Sequence, residues 1–144
     1  MDKFLPDISK MNVQGVAYDS ADDAIWFTDS HSIYEISLKG DLLREIGSSK
    51  YSKPNGLAYD VHTDHLWVLY FYGDLVEYNI SGQAVRTIRA RYADQDQITI
   101  NDGIIYMTVG ADYKGNDNFL LGLDMNSGEV IEKYRLQQSY AVEV

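Results

Sequence analysis

Three polar residues recur at a fixed interval in this chain. Gln14, Asn55 and Asp96 follow one another at steps of 41 positions, each just ahead of a short apolar run. Amide and carboxylate groups brought together at the starts of neighbouring strands would act as convergent polar anchors for a small ligand, with aromatic side chains supplying apolar contact. Asp29 and His31, and likewise Tyr70 and Tyr72, sit in two loops that lead to the same end of the fold, so they join this set of ligand-binding candidates. His31 also has the chemistry of a proton carrier near neutral pH, although a histidine on an exposed loop is more often simply solvated.

The remaining chemistry-bearing residues form weaker patterns. His62 and His65 flank Asp64 in a turn, and two histidines on a turn without further ligands read as solvated residues. The run Asp124-Met125-Asn126-Ser127-Gly128-Glu129 superficially resembles a calcium loop, but it lacks the later bidentate Glu and aligns with two ordinary hairpin turns. Asp112, Asn116 and Asp117 share a long loop that reads as solvated, with calcium or a partner as the alternative. No Ser-His-Asp set, phosphate loop or nucleophile elbow occurs, and no residue is assigned a catalytic role.

These candidates are placed by an internal repeat. In the stretch KPNGLAYDVHTDHLWVLYFY, turn residues Pro54, Asn55 and Gly56 lead into Leu57-Ala58-Tyr59, an acidic turn follows, and Leu66 to Leu69 is apolar and rich in strand formers. The earlier VQGVAYDSADDAIWFTDS has the same form, with Gly15 matching Gly56, Tyr18-Asp19 matching Tyr59-Asp60 and Trp26 matching Trp67. A period of about 40 to 45 residues with four strands per unit is that of a β-propeller blade. The pattern predicts an all-β chain of three four-stranded blades, at about 12–46, 53–88 and 96–136, within one domain spanning 1–144. In the first, strands are expected at 16–19, 24–28, 32–38 and 42–46, with Gly40 taking the positive φ of the last hairpin turn. In the third, Asn101-Asp102-Gly103 shortens the first turn and 111–118 lengthens the second loop. Met1 to Leu5 reads as a stray outer strand.

Composition narrows the partners. The 144 residues carry 12 Lys and Arg against 22 Asp and Glu, a net charge of −10, which disfavours nucleic acid and anionic membrane surfaces. The absence of cysteine fits a reducing compartment. No run reaches the 18 or so apolar residues of a membrane span, and Met1 to Lys10 lacks a secretion signal, so a cytoplasmic location is expected.

A blade needs both faces covered, and closed propellers hold about four to eight of them. Three in a row would leave an apolar face bare at each end, each above the roughly 400 Å² that soluble surfaces tolerate. The simplest remedy is a homodimer in which the third unit of each copy packs on the first unit of the other, completing a six-bladed ring about a two-fold axis. The alternative is half of a longer propeller.

The phrases Pro54-Asn55-Gly56-Leu57-Ala58-Tyr59-Asp60 and Ile25-Trp26-Phe27-Thr28-Asp29-Ser30 resemble the blade signatures of the NHL and SMP-30/gluconolactonase-like six-bladed propellers. Blades of this kind serve lactone hydrolases, strictosidine-synthase-like enzymes and protein-binding modules alike. In the SMP-30-like hydrolases a Glu, an Asn and an Asp hold a divalent cation at the channel mouth. The resemblance implies Asn55 and Asp96 as metal ligands, for calcium or another divalent cation, and places Gln14 at the Glu position, where a neutral amide weakens a hard-cation site.

The leading functional expectation is a non-catalytic binding module holding a small polar ligand or a peptide segment at the axial, loop-rich face, through Gln14, Asp29, His31, Asn55, Tyr70, Tyr72 and Asp96. The alternative is a metal-dependent hydrolase of the lactonase type, in which the cation polarises a bound water. A third reading is an interaction domain that uses its rim.

Overall fold

The computed structural model describes residues 13–29, 31–47, 53–71, 73–90, 95–110 and 118–136. They form twelve strands in three antiparallel sheets of four, each with its strands in chain order. Blade 1 contains β1 (Val16–Asp19), β2 (Ala24–Thr28), β3 (Ser32–Ser37) and β4 (Leu42–Gly47). Blade 2 contains β5 (Pro54–Asp60), β6 (His65–Tyr70), β7 (Asp74–Tyr78) and β8 (Ala84–Arg89). Blade 3 contains β9 (Gln95–Asn101), β10 (Ile104–Val109), β11 (Asn118–Asp124) and β12 (Val130–Leu136). The strands fall within a residue or two of their expected positions, apart from β5, which starts at Pro54, three residues ahead of the Leu57-Ala58-Tyr59 run. Met1 to Leu5, Tyr72 and the loop residues Asp112, Asn116 and Asp117 lie outside the described residues.

Local chemistry makes the turns. Asp19 ends β1 and accepts the backbone N–H groups of Ala21 and Asp22 at 3.0 and 3.1 Å, the Asx geometry that reverses a chain. Asp60 repeats it in blade 2, accepting His62 N–H at 3.1 Å and the Thr63 hydroxyl at 2.7 Å. Asp23 and Asp64 take φ of 52° and 57°, which aspartate tolerates better than most side chains. Each is held by a tyrosine of the preceding strand, Tyr18 or Tyr59, whose hydroxyl donates to it at 2.7 Å.

The blades pack face to face through two cores. Between blades 1 and 2, Trp26, Ile33 and Ile46 meet Leu57, Leu66 and Val68. Between blades 2 and 3, Trp67, Leu69 and Leu75 meet Ile105, Met107 and Leu123. Strand β6 alternates between them, so that all of Leu66–Tyr70 is buried. At the inner edge the approach is closest, for a Cβ on Gly15 would lie 2.7 Å from Asn55 O, and one on Gly56 would lie 2.9 Å from Asp96 O. Glycine at both positions lets β1 touch β5 and β5 touch β9.

Candidate functional site

Because each sheet presents its first strand inward, β1, β5 and β9 lie side by side, each with one edge unpaired within its own sheet. Their middle residues line a groove of about 270 Å³, formed by Val16–Tyr18, Leu57–Tyr59 and Ile98–Ile100. Gln14, Asn55 and Asp96 stand at or just before the starts of these strands, with Gln14 and Asp96 exposed and Asn55 half-buried.

Asn55 and Asp96 are brought together. The Asn55 side-chain amide donates through Nδ2 to Gln95 O at 2.9 Å and to Asp96 Oδ1 at 3.3 Å, clipping blade 2 to blade 3. Gln14 sits one residue before the Gly15–Asn55 contact, its N–H bonded to Thr28 O at 3.0 Å. A cation between Asn55 and Asp96 would need the amide oxygen turned toward the carboxylate, which would set that oxygen against the Gln95 carbonyl. The donor set therefore does not fit a divalent ion in this arrangement.

Two other candidates serve the fold. Asp29 is fully buried. Its Oδ1 accepts the N–H groups of His31 and Ser32 at 2.6 and 2.8 Å, and its Oδ2 accepts the Tyr34 hydroxyl at 3.1 Å. Tyr70 is also buried, with its hydroxyl 2.6 Å from that of Tyr78. His31 is exposed on the loop that Asp29 holds. His65, expected to be solvated, is instead half-buried, with Nδ1 2.7 Å from Glu77 Oε1.

Sequence reading missed an ionic network that runs from the surface to a buried glutamate. In blade 1, Arg44 Nη1 bonds Asp22 Oδ2 at 3.0 Å and closely contacts Glu35 Oε2, while Trp26 Nε1 donates to Asp19 Oδ2 at 3.2 Å. Carboxylate oxygens of Asp19, Asp22 and Glu35 lie within 4.8 Å of one another, and the Arg44 guanidinium is the cation paired with Asp22 and Glu35. Glu35 is wholly buried, with Oε1 unpartnered. Burial raises its pKa, with Asp19 adding to the rise and Arg44 opposing it. Blade 2 repeats the arrangement, since Arg86 Nε lies 3.3 Å from Glu77 Oε2 and its guanidinium stacks 5.0 Å over the Trp67 ring. Arg86 then crosses to blade 3, donating to Asn126 O at 2.7 Å and to Met125 O. The signal was present in the sequence, because Glu35 and Glu77, like Arg44 and Arg86, are separated by 42 positions.

No protein-family model matches the sequence, and no curated protein matches it. Solved structures do. In a nidogen/laminin complex, a chain 19% identical superposes with a TM-score of 0.66, over 85% of this chain and 47% of its own length. The RRP9 WD40 repeats are 14% identical with a TM-score of 0.67, over 90% and 40%. The Pan2 WD40 domain of Neurospora crassa is 13% identical with a TM-score of 0.61, over 79% and 33%. The fold is that of a β-propeller, and the chain spans less than half the length of each of these structures. The likeness to NHL and SMP-30-like blades rests on the blade phrases alone. No helix among the described residues is long and apolar enough to cross a membrane.

Proposed function

We propose that this three-blade arc is a non-catalytic binding module that takes an extended segment of a protein partner in the groove between β1, β5 and β9. The observation that carries this reading is the groove itself, where three strands each turn an edge unpaired within its sheet toward one space of about 270 Å³. Unpaired strand edges supply main-chain donors and acceptors to an extended peptide, and alternate side chains then set specificity. Gln14 and Asp96, exposed at the mouth, would meet its polar groups, and His31 lies on a loop of the same end. The nidogen/laminin complex is a case in which a chain of similar fold was solved together with another protein.

The lactonase alternative draws no support from Asn55, whose amide is spent on Gln95 and Asp96. An acidic, cysteine-free chain suits a reducing compartment, and we place this module in the cytoplasm as part of the same reading.

The test is selection of peptides displayed on phage against the immobilised full chain. Thr99 is exposed on β9 and lines the groove, so Thr99→Arg fills it without disturbing a core. Selected peptides should bind the wild type at least about tenfold more tightly than Thr99→Arg, a difference of about 1.4 kcal/mol. Equal binding to both proteins would remove the groove from the proposal.

A further inference from the structure

Both blade junctions in the chain are built from the same two faces. The forward face carries a glycine and an alanine on the inner strand, Trp on the second and a Glu–Arg pair across the third and fourth. In blade 1 these are Gly15, Ala17, Trp26, Glu35 and Arg44, and in blade 2 they are Gly56, Ala58, Trp67, Glu77 and Arg86. The receiving face opposite is apolar, with an aliphatic residue opening the inner strand and another apolar residue in the last hairpin turn. Leu57 and Ile98 fill the first role at 2% and 6% exposure, and Ile80 and Met125 fill the second, packed against the preceding blade.

On the same face of blade 1 Phe27 and Tyr34 are buried, at 7% and 5% exposure, but among the described residues no blade lies over the stretch running from the inner strand to the last hairpin turn. Val16 stands where Leu57 and Ile98 stand, yet it is 62% exposed, and Leu38, the counterpart of Ile80 and Met125, is also 62% exposed. Tyr18 beside them is 53% exposed. Blade 3 does not offer the forward face that would cover them. Gln97 replaces the glycine, and its Cβ would stand where Gly15 and Gly56 leave room for the backbone of the next inner strand. Thr99 replaces the alanine, Tyr106 the tryptophan, Gly122 the glutamate, and Glu132 reverses the charge of Arg44 and Arg86. No arginine at that position reaches across to the next hairpin turn as Arg86 does.

We infer that the Val16–Tyr18–Leu38 face of blade 1 receives a further propeller blade bearing the glycine–alanine–tryptophan–arginine face, and that the third blade of a second copy is not its occupant. This inference departs from the ring closed by two copies, the simplest expectation from the number of blades, because the two end faces of the arc do not match in residue type. Val16 and Tyr18 line both the axial groove and this face, but the inference rests on the mismatch of the two end faces, so it can fail while the groove stands.

The experiment converts blade 3 to the missing face. Gln97→Gly, Tyr106→Trp and Glu132→Arg are combined in the full chain, and mass in solution is measured by light scattering, with circular dichroism and a cooperative melt verifying the fold. The wild type is expected at 16.4 kDa and the triple variant at twice that mass, returning to the monomer when Val16→Asp is added. If the triple variant does not fold, Gln97→Gly with Tyr106→Trp carries the same expectation. A folded variant that stays monomeric would overturn the receiving role of blade 1. A wild-type dimer dissociated by Tyr106→Asp would overturn the exclusion of a second copy.

Discussion

Alanine at position 56 probes how closely neighbouring blades approach. Its Cβ would lie 2.9 Å from Asp96 O, 3.1 Å from Gln97 Cα and 3.3 Å from Ile98 N, and all three neighbours are backbone atoms that no rotamer change can move. Strands β5 and β9 would have to separate, and overpacking of this sort costs about 1–3 kcal/mol. The substitution also lowers the entropy of the unfolded chain, which returns about 0.4–1 kcal/mol. Over most of that range the clash outweighs the return, leaving a net loss of up to about 2.5 kcal/mol, or up to about 10 °C in Tm for a chain of this size. Gly47→Ala is the control, because a Cβ there meets nothing within 4 Å, and it should be neutral or slightly stabilising. Urea unfolding of both variants beside the wild type gives the comparison. Gly56→Ala as stable as Gly47→Ala would refute the claim that inner-strand backbones set the spacing of the blades.

Asn55→Ala removes the clip between blades 2 and 3 and should cost about 0.5–1.5 kcal/mol by urea titration, unaltered by calcium; stabilisation of the wild type alone by calcium would restore the metal reading. Trp26→Phe should destabilise more than Trp67→Phe, because Trp26 Nε1 donates to Asp19 whereas Trp67 Nε1 is buried without an acceptor; chemical denaturation showing the reverse order would count against the network in blade 1. Glu35 has its pKa raised in the folded protein, so the native state binds this proton more tightly than the unfolded chain does. Its contribution is therefore most favourable below the ordinary glutamate pKa of about 4.3 and declines as pH rises through the raised value. Glu35→Gln should abolish that part of the pH dependence while keeping an acceptor for Arg44, and an unchanged stability–pH profile would contradict it.

The repeat made most of the fold legible. Spacing of glycines, Tyr-Asp pairs and tryptophans fixes twelve strands because every blade solves the same packing problem with the same residues. Convergence of Asn55 and Asp96 was readable for that reason, as each opens an inner strand. Their roles were not, since whether Asn55 presents nitrogen or oxygen depends on the Gln95 carbonyl 40 residues away. Asp29 looked like a ligand because its loop leads to the same end as the strand openings, but its oxygens are taken by the turn it begins and by the Tyr34 hydroxyl. The Glu35–Arg44 and Glu77–Arg86 pairs escaped notice because Trp67 pairs with Glu77 ten positions on whereas Trp26 pairs with Glu35 nine positions on, which slips the period from 41 to 42. Antiparallel pairing across β3–β4 and β7–β8 then brings together residues that have no local relation.

Hydrogen–deuterium exchange along the full chain tests the three-blade arc most directly. Blade 2 lies between two blades, so the amides of β6 and β7 should exchange most slowly, ahead of β2, β3, β10 and β11 in blades that pack on one neighbouring blade. Greatest protection in an end blade, or equal protection in all three, would contradict an arc whose middle sheet lies between the other two.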